Sequence, residues 1–160
     1  MKYRLVGSEM CIRDSSSAIK KYADLFGVAC GEKNILFTNN DTAYETAISL
    51  IQKGISVEAI VDNREQVDSK LIYEVEKNNV KIFKGHTIVN TYGHKRINKI
   101  SIMQLSKDGQ NVIGSKIDLS CDCLGISGGW TPAVHLFTQS GGKLKFRDED
   151  QVFILSLIHI

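Results

Sequence analysis

The pattern of apolar and polar positions between Asn34 and Asp62 predicts a strand, a tight turn, a helix and a second strand. Residues 35–37 form a short apolar run, as a strand buried on both faces requires. Four apolar residues recur at helical spacing and share one face: Ala43, Ala47, Leu50 and Ile51. A second apolar strand ends at Asp62. This βαβ unit is typical of dinucleotide-binding domains, and the rest of the chain is organised around it.

The turn of this unit departs from the glycine pattern that binds a pyrophosphate. In register with G-x-G-x-x-G, the three glycine positions hold Thr38, Asn40 and Ala43. Alanine is accepted at the third position, and asparagine tolerates the left-handed backbone expected at the second. Threonine at the first position has no such compatibility with the tight turn that glycine makes there. Asp62 follows Ala43 by nineteen residues. A carboxylate there is expected to accept hydrogen bonds from the adenosine ribose.

The start of the helix carries residues that can satisfy its own backbone amides. Thr42 and Glu45 have the spacing of a capping box. Asp41 adds negative charge where a pyrophosphate would approach the helix. Two interpretations stay open: the turn binds a dinucleotide, or the βαβ unit is structural and binds nothing there.

The remaining pattern predicts a fold of class α/β: a Rossmann-like βαβ dinucleotide-binding domain with an antiparallel β-meander insertion and a C-terminal loop–helix–hairpin return segment. Helices are expected at residues 18–26, 67–75 and 131–141. Beyond the βαβ unit, strands are expected at 80–83, 87–91, 97–105, 111–116, 117–125, 144–146 and 152–154. The strand at 117–125 would rejoin the parallel sheet.

Two features near the end of that strand carry possible chemistry. Cys121 and Cys123 would share one strand face, but the sequence offers no second cysteine pair for a metal, so we expect both to be buried core residues. Gly128 and Gly129 permit a tight loop, and Trp130 is placed to meet a cofactor or to pack on a neighbouring domain. No catalytic residue and no metal ligand is predicted.

The composition of the chain limits the classes of binding partner and of cellular compartment that the sequence indicates. The 160 residues are 42% hydrophobic and 24% charged, with a net charge of +2, which does not indicate binding to nucleic acid or to a membrane. Four cysteines without a regular framework are typical of a reducing, cytoplasmic compartment.

Both ends read as foreign sequence. Residues 1–15 (ending VGSEMCIRDS) and 155–160 (LSLIHI) resemble translated sequencing adapters. We therefore expect residues 16–126 to form an NAD(P)-binding-like Rossmann domain and 127–154 a return segment to a missing first dinucleotide-binding domain.

Deleting the two tails is expected to leave thermal stability nearly unchanged.

Three runs closely resemble the alpha subunit of heterotetrameric sarcosine oxidase: FTNNDTAYETA (37–47), VEAIVDNRE (57–65) and CDCLGISGGWTPAVHLFTQSGGKLKF (121–146). The resemblance covers residues 16–154, and the wider likeness is to pyridine nucleotide-disulfide oxidoreductases with two dinucleotide-binding domains. It implies a fragment of an enzyme that oxidatively demethylates sarcosine to glycine, with NAD in this subunit, FMN and FAD in the complex, and tetrahydrofolate as the one-carbon acceptor in a missing domain.

The resemblance also implies partners and contacts. The beta and other subunits of a hetero-oligomeric oxidase would be the partners, and the fragment alone would be inactive. The implied cofactor contacts are Asn39, Asn40, Thr42 and Asp62 in the core, with Gly128, Gly129 and Trp130 in the return loop. An NAD(P)H-dependent flavoprotein reductase domain and a non-binding structural domain for subunit assembly remain alternatives.

Overall fold

A computed structural model of the chain describes residues 14–67, 70–128, 134–147 and 152–155. The chain divides into two compact units at Gly128. The first unit contains β1 (Asp14–Ser15), α1 (Ser16–Phe26), β2 (Asn34–Thr38), α2 (Thr42–Gln52), β3 (Val57–Asp62), α3 (Lys70–Lys77), β4 (Lys81–Lys84), β5 (His86–Gly93), β6 (Ile97–Leu105), β7 (Val112–Ser120) and β8 (Cys123–Ser127). The second contains α4 (His135–Gln139), β9 (Leu144–Arg147) and β10 (Val152–Leu155).

A five-stranded sheet in the order β1-β8-β2-β3-β4 forms the centre of the first unit, and all of its strand pairs are parallel. Successive residues of β2 point to opposite faces and are buried on both, since Ile35 and Leu36 have no exposed surface. A parallel sheet covered on both faces requires such continuous apolar runs. The predicted βαβ unit is therefore confirmed as β2, α2 and β3.

Helices cover one face of this sheet. Ala43 and Ala47 on α2 have no exposed surface, and their small side chains let the helix lie close to the strands. The same apolar cluster contains Ile19 of α1, Leu36 of β2 and Val75 of α3. The first helix ends at Gly27, whose φ of 63° gives the left-handed conformation common at helix C-termini.

An antiparallel meander in the order β5-β6-β7 covers the other face. Ile100 and Ile102 of β6 are fully buried in a cluster with Ile35, Val61 and Leu124 of the parallel sheet. The predicted α/β class and the meander insertion are thus confirmed. The result is a three-layer arrangement of helices, parallel sheet and meander.

The boundary between β7 and β8 differs from the prediction. The strand expected at 117–125 is divided, because residues 117–120 continue β7 and the parallel strand begins only at Cys123. Cys121 lies in the connection and joins the core on the meander side, whereas Cys123 joins the core on the helical side. The prediction that the two cysteines share one strand face is therefore wrong.

The prediction that both cysteines are buried is confirmed, since Cys121 is 1% and Cys123 8% exposed. Burial raises the pKa of the Cys121 thiol to about 11, with a smaller contribution from the neighbouring Asp122 carboxylate. A thiol with a raised pKa is a poor nucleophile and a poor metal ligand at neutral pH.

The connection after β7 is fixed by Asp122. Its carboxylate accepts hydrogen bonds from the backbone amides of Glu32 and Lys33, at 2.9 and 2.7 Å. Burial raises the pKa of this carboxyl, but the two amide donors outweigh that effect and the pKa lies below its usual value. These bonds join the segment before β2 to the start of β8.

The second unit contains the predicted hairpin. β9 and β10 pair antiparallel, with Phe146 opposite Phe153 and their rings 5.1 Å apart. A short helix, α4, precedes the hairpin, as expected. The first residues of the helix predicted at 131–141 lie outside the described residues.

Both tails expected to be foreign include residues that pair in sheets. Asp14 and Ser15 pair with Gly125 and Ile126 of β8, and Leu155 pairs with Leu144. The interpretation of residues 1–15 and 155–160 as foreign sequence stays a prediction, although these three residues pair with strands of the fold. The division into segments 16–126 and 127–154 stays a prediction, and β8 itself extends to Ser127.

Replacing Gly31 by alanine should destabilise the first unit. A Cβ at this position would lie 2.5 Å from the Cys123 Cβ and 2.6 Å from an Asp122 carboxylate oxygen, so β8 or the segment before β2 must shift. We expect a loss of about 1–3 kcal/mol in the free energy of unfolding, measured by urea denaturation. Gly128→Ala is the control, because no atom of the described residues lies within 4 Å of a Cβ there. Equal stability of the two variants would contradict the close approach.

Candidate functional site

Three strands end side by side at the carboxyl edge of the parallel sheet. Thr38, the last residue of β2, is in register with Asp62 of β3 on one side and with Ser127 of β8 on the other. The chain leaves β2 through α2 toward β3, whereas β8 arrives from the far end of the meander. The edge between β2 and β8 is thus a topological switch point, where open α/β sheets bind their ligands.

The turn after β2 is held by side chains where a dinucleotide-binding turn has glycines. Thr38 is a buried residue, with 1% of its surface exposed. Its hydroxyl accepts a hydrogen bond from the Asn40 amide at 3.0 Å and donates one to the Asn40 carbonyl at 2.7 Å. Among the described non-glycine residues only Asn79 has a positive φ. The expectation that Asn40 adopts the left-handed conformation is therefore wrong, because the Thr38 hydroxyl fixes an ordinary backbone turn.

The Asn40 side chain links this turn to β8. Its Oδ1 accepts from the Thr42 amide at 3.0 Å and from the Ser127 hydroxyl at 3.1 Å. Its Nδ2 donates to the Ser127 carbonyl at 3.2 Å. The Thr42 and Ser127 hydroxyls lie 2.8 Å apart. The switch point is consequently bridged by side-chain hydrogen bonds.

The predicted capping box does not form. The N-cap residue of α2 is Asp41, which has helical backbone angles and makes no capping hydrogen bond through its side chain. Thr42 is already in the helix, and its amide donates to Asn40 two residues earlier. The prediction is wrong because the Asn40 side chain caps the helix from outside, which moves the helix start back by one residue.

Asp62 lies buried at the end of β3, with no exposed surface. The Tyr44 hydroxyl of α2 donates to its Oδ2 at 2.9 Å. The Arg64 guanidinium donates to both carboxylate oxygens, at 3.1 and 2.8 Å, and the Arg64 amide donates to Oδ1 at 2.9 Å. This carboxylate is therefore fully engaged within the chain.

Arg64 also spans from β3 to the turn. Its guanidinium donates to Asp41 at 2.8 Å, so one arginine bridges a buried carboxylate and a half-exposed one. We call Asp41, Asp62 and Arg64 the acidic clasp. Hydrogen bonding to Asp62, followed by Asp41, raises the pKa of Arg64 despite its partial burial. Burial first, and then the Asp62 charge, raise the pKa of Tyr44, so both donors stay protonated.

Comparison with curated proteins shows what the chain resembles. It is 27% identical over 139 residues to sarcosine oxidase subunit alpha of Corynebacterium sp. (strain U-96), which covers 87% of this chain and 14% of that protein. The subunit from Rhizobium meliloti (strain 1021) is 28% identical over 140 residues, covering 87% and 13%. The chain is similar to the alpha subunit of sarcosine oxidase. The resemblance expected from the sequence is confirmed, and the chain spans about 14% of the length of these sarcosine oxidase subunits.

Solved structures show the same fold. Thioredoxin reductase of T. acidophilum superposes with a TM-score of 0.64 at 16% identity, over 88% of this chain and 43% of that one. An FAD-dependent pyridine nucleotide-disulphide oxidoreductase from Desulfovibrio vulgaris gives 0.61 at 16% identity, over 95% and 42%. No protein-family profile matches the chain.

The structure brings together four of the contacts that the sarcosine oxidase resemblance implies. Asn39, Asn40, Thr42 and Gly128 lie at the switch point, where Asn39 donates to the Gly128 carbonyl at 3.2 Å. Asp62 lies on the adjacent strand under Arg64, so a ribose hydroxyl would reach its carboxylate only after Arg64 moves. Gly129 and Trp130 lie outside the described residues.

Sequence reasoning missed two residues that hold this edge, Ser127 and Tyr44. Ser127 bonds to both Asn40 and Thr42, but its sequence position reveals this only once the register of β8 on β2 is known. Tyr44 follows Ala43 on the buried side of α2, and a buried tyrosine requires a partner for its hydroxyl. That requirement was the available signal for the bond to Asp62.

Removing charge from Asp62 should cost more stability than removing it from Asp41. Asp62→Asn leaves the Arg64 guanidinium facing a buried neutral amide, and we expect a loss of about 2 kcal/mol or more in the free energy of unfolding. The Asp41 side chain is 47% exposed, so Asp41→Asn should cost less than about 1 kcal/mol. Urea denaturation of both variants is the measurement. Losses of equal size would show that the two carboxylates are equally screened by solvent.

Proposed function

We propose that this chain is part of the alpha subunit of a sarcosine oxidase-like flavoenzyme, to which it contributes a dinucleotide-binding-type domain. The observation that carries the proposal is the switch point between β2 and β8, at which Asn39, Asn40, Thr42 and Gly128 converge. The similarity to sarcosine oxidase alpha subunits over 87% of the chain supports it. The parent enzyme would demethylate sarcosine oxidatively to glycine and pass the one-carbon unit to tetrahydrofolate.

The role of this segment in such an enzyme is to hold a cofactor. NAD is the ligand proposed for this subunit, with FMN and FAD elsewhere in a complex with beta and other subunits. We assign no proton or electron transfer to the described residues, and expect no oxidase activity from this chain alone. A cytoplasmic location is part of the same proposal. Among the described residues, the structure contains no helix that meets the length and apolarity needed to cross a membrane.

NAD fits the outline of the site but competes with bonds already made. We expect a pyrophosphate to approach the α2 N-terminus beside the Asn39 and Thr42 side chains and Gly128, where a Cβ would meet no described atom within 4 Å. However, the Thr42 amide is already bonded to Asn40. A helix terminus offers an anion about 1 kcal/mol, far short of the roughly 8 kcal/mol that micromolar binding needs. We therefore expect weak binding by this chain.

The second candidate is a structural domain for subunit assembly. The closed set of hydrogen bonds between Asn40, Thr42 and Ser127 favours it, because these groups are satisfied without a ligand. An NAD(P)H-dependent flavoprotein reductase domain has the support of the fold alone, since the solved relatives are about 16% identical.

Replacing Asn40 by glycine should strengthen NAD binding by about fivefold, since it exposes the Thr42 amide at the helix terminus. Asn111→Gly is the matched control, because it makes the same change of residue in the exposed β6–β7 connection, away from the switch point. Titrations of both variants and of the unaltered chain with NAD measure the effect, and circular dichroism checks the fold.

Each outcome of this titration separates the two candidates. No binding by any of the three proteins would support the structural domain and overturn the nucleotide proposal for this segment. Micromolar binding by the unaltered chain would show that the side-chain turn binds NAD as it stands. Equal gains in the two variants would contradict the role of the Thr42 amide.

The acidic clasp should make NAD the preferred dinucleotide over NADP. A 2′-phosphate would approach the half-exposed carboxylate of Asp41, and the Arg64 guanidinium is already shared between Asp41 and the buried Asp62. Asp41→Asn removes one of the two ion pairs of Arg64. It should reduce the preference for NAD over NADP by up to about fivefold, which is the effect of a partly exposed ion pair. Asp24→Asn, which removes the surface pair with Lys53, should not change it. Calorimetry that shows tighter binding of NADP by the unaltered chain would refute this prediction.

A further inference from the structure

The outer face of the meander carries a tyrosine enclosed by charged side chains. Tyr92 lies on β5 directly opposite Lys99 of β6. The Lys99 ammonium lies 4.4 Å from the centre of the Tyr92 ring. The Lys116 ammonium, from β7, lies 5.1 Å from the same point and donates to the phenol oxygen at 2.5 Å. One phenol thus contacts two cations from the two other strands.

An acidic residue holds the two lysines in place. Asp118 of β7 accepts from Lys99 at 2.9 Å and lies 3.9 Å from Lys116. Its other oxygen accepts from the Ser101 hydroxyl at 2.5 Å. Ser101 has no exposed surface although it neighbours this outer face, so the base of the cluster is closed to solvent. We call Tyr92, Lys99, Ser101, Lys116 and Asp118 the phenol cluster.

The electrostatic effect of this cluster is to favour the phenolate. The hydrogen bond from the Lys116 ammonium is the main cause that lowers the pKa of Tyr92, to about 8. The same contact with Tyr92 raises the pKa of Lys116, so the ammonium is retained in the range where the phenol ionises. The hydrogen bond from Ser101 lowers the pKa of Asp118, which remains a carboxylate. Two cations and one anion therefore face the phenol.

The other tyrosines of the described chain have different surroundings. Tyr73 is 76% exposed and Tyr22 44% exposed, and both are accessible to a reagent. Tyr44 is buried and donates to Asp62, which excludes reagents and keeps it protonated. Tyr92 is less exposed than Tyr73 or Tyr22. Accessibility alone would therefore rank Tyr73 first, whereas nucleophilicity would rank Tyr92 first.

We propose that Tyr92 is a nucleophilic site on this domain that accepts acyl groups from activated acyl donors. In the step, the phenol releases its proton to solvent, and the phenolate oxygen attacks the carbonyl carbon of the donor. The oxygen–carbon bond forms, the bond from carbon to the leaving group breaks, and the leaving group departs with the electron pair and takes up a proton. Lys116 stabilises the phenolate before the attack, and the product is an aryl ester on Tyr92.

The test uses the full chain and N-acetylimidazole as the acyl donor, near neutral pH. Mass-spectrometric mapping measures acetylation at each tyrosine, and hydroxylamine, which cleaves aryl esters but not amides, separates it from acetylation of lysines. We expect Tyr92 to react roughly tenfold faster than Tyr73, because the Lys116 ammonium contacts the Tyr92 oxygen and stabilises its phenolate. Faster labelling of Tyr73 than of Tyr92 would overturn the proposal.

Two variants identify the cause. Lys116→Met should slow the labelling of Tyr92 to the rate of Tyr73 and move its pH midpoint upward, while Lys107→Met, in the β6–β7 turn, should leave both unchanged. Unchanged labelling of Tyr92 in the Lys116 variant would contradict the assigned role. A phenolate absorbance titration of the unaltered chain, compared with Tyr92→Phe, gives an independent readout, and the absence of a tyrosine that ionises near pH 8 would also overturn the proposal.

Discussion

The buried carboxylate of Asp62 is the charge on which the carboxyl edge of the parallel sheet depends. An ionised carboxylate without exposed surface costs several kcal/mol unless hydrogen bonds replace its hydration. Tyr44 supplies one of these bonds from α2, and Arg64 supplies the others from the segment after β3. The position of α2 against β3 and the path of the chain after β3 are both constrained by this one group. Through Arg64 the constraint extends to Asp41 and therefore to the turn after β2.

The same groups that stabilise this edge are those that a dinucleotide would use. A helix amide, a strand-end carboxylate and a polar loop are present, and each already has a partner within the chain. In a glycine-rich turn the helix amide has no partner within the protein until the ligand binds, and this lowers the stability of the unbound protein. Here the Asn40 side chain accepts from that amide, which stabilises the unbound protein and weakens the binding of a ligand at the same position.

Local pattern was sufficient to predict the elements, because burial on both faces leaves an apolar run in β2 and α2 repeats its small residues at helical spacing. It was insufficient where non-local pairing decides the outcome. The break between β7 and β8 separates Cys121 from Cys123, and it depends on which neighbour each strand finds. The capping box failed at Thr42 because Asn40 caps the helix instead. The burial of Asp62 depends on Tyr44 and Arg64, whose orientation no short-range spacing reveals.

The position of β2 in the sheet also has a consequence for how the chain folds. Its partner β3 follows directly after α2 in the sequence. Its other partner is β8, whose Cys123 pairs with Asn34, 89 positions earlier in the sequence. During synthesis the apolar strand Ile35–Leu36–Phe37 therefore has one unpaired edge until the whole meander has been synthesised. Intermediates that lack β8 would expose this edge to aggregation, so the pairing of β8, the last strand of the first unit, determines both the rate of folding and the risk of aggregation.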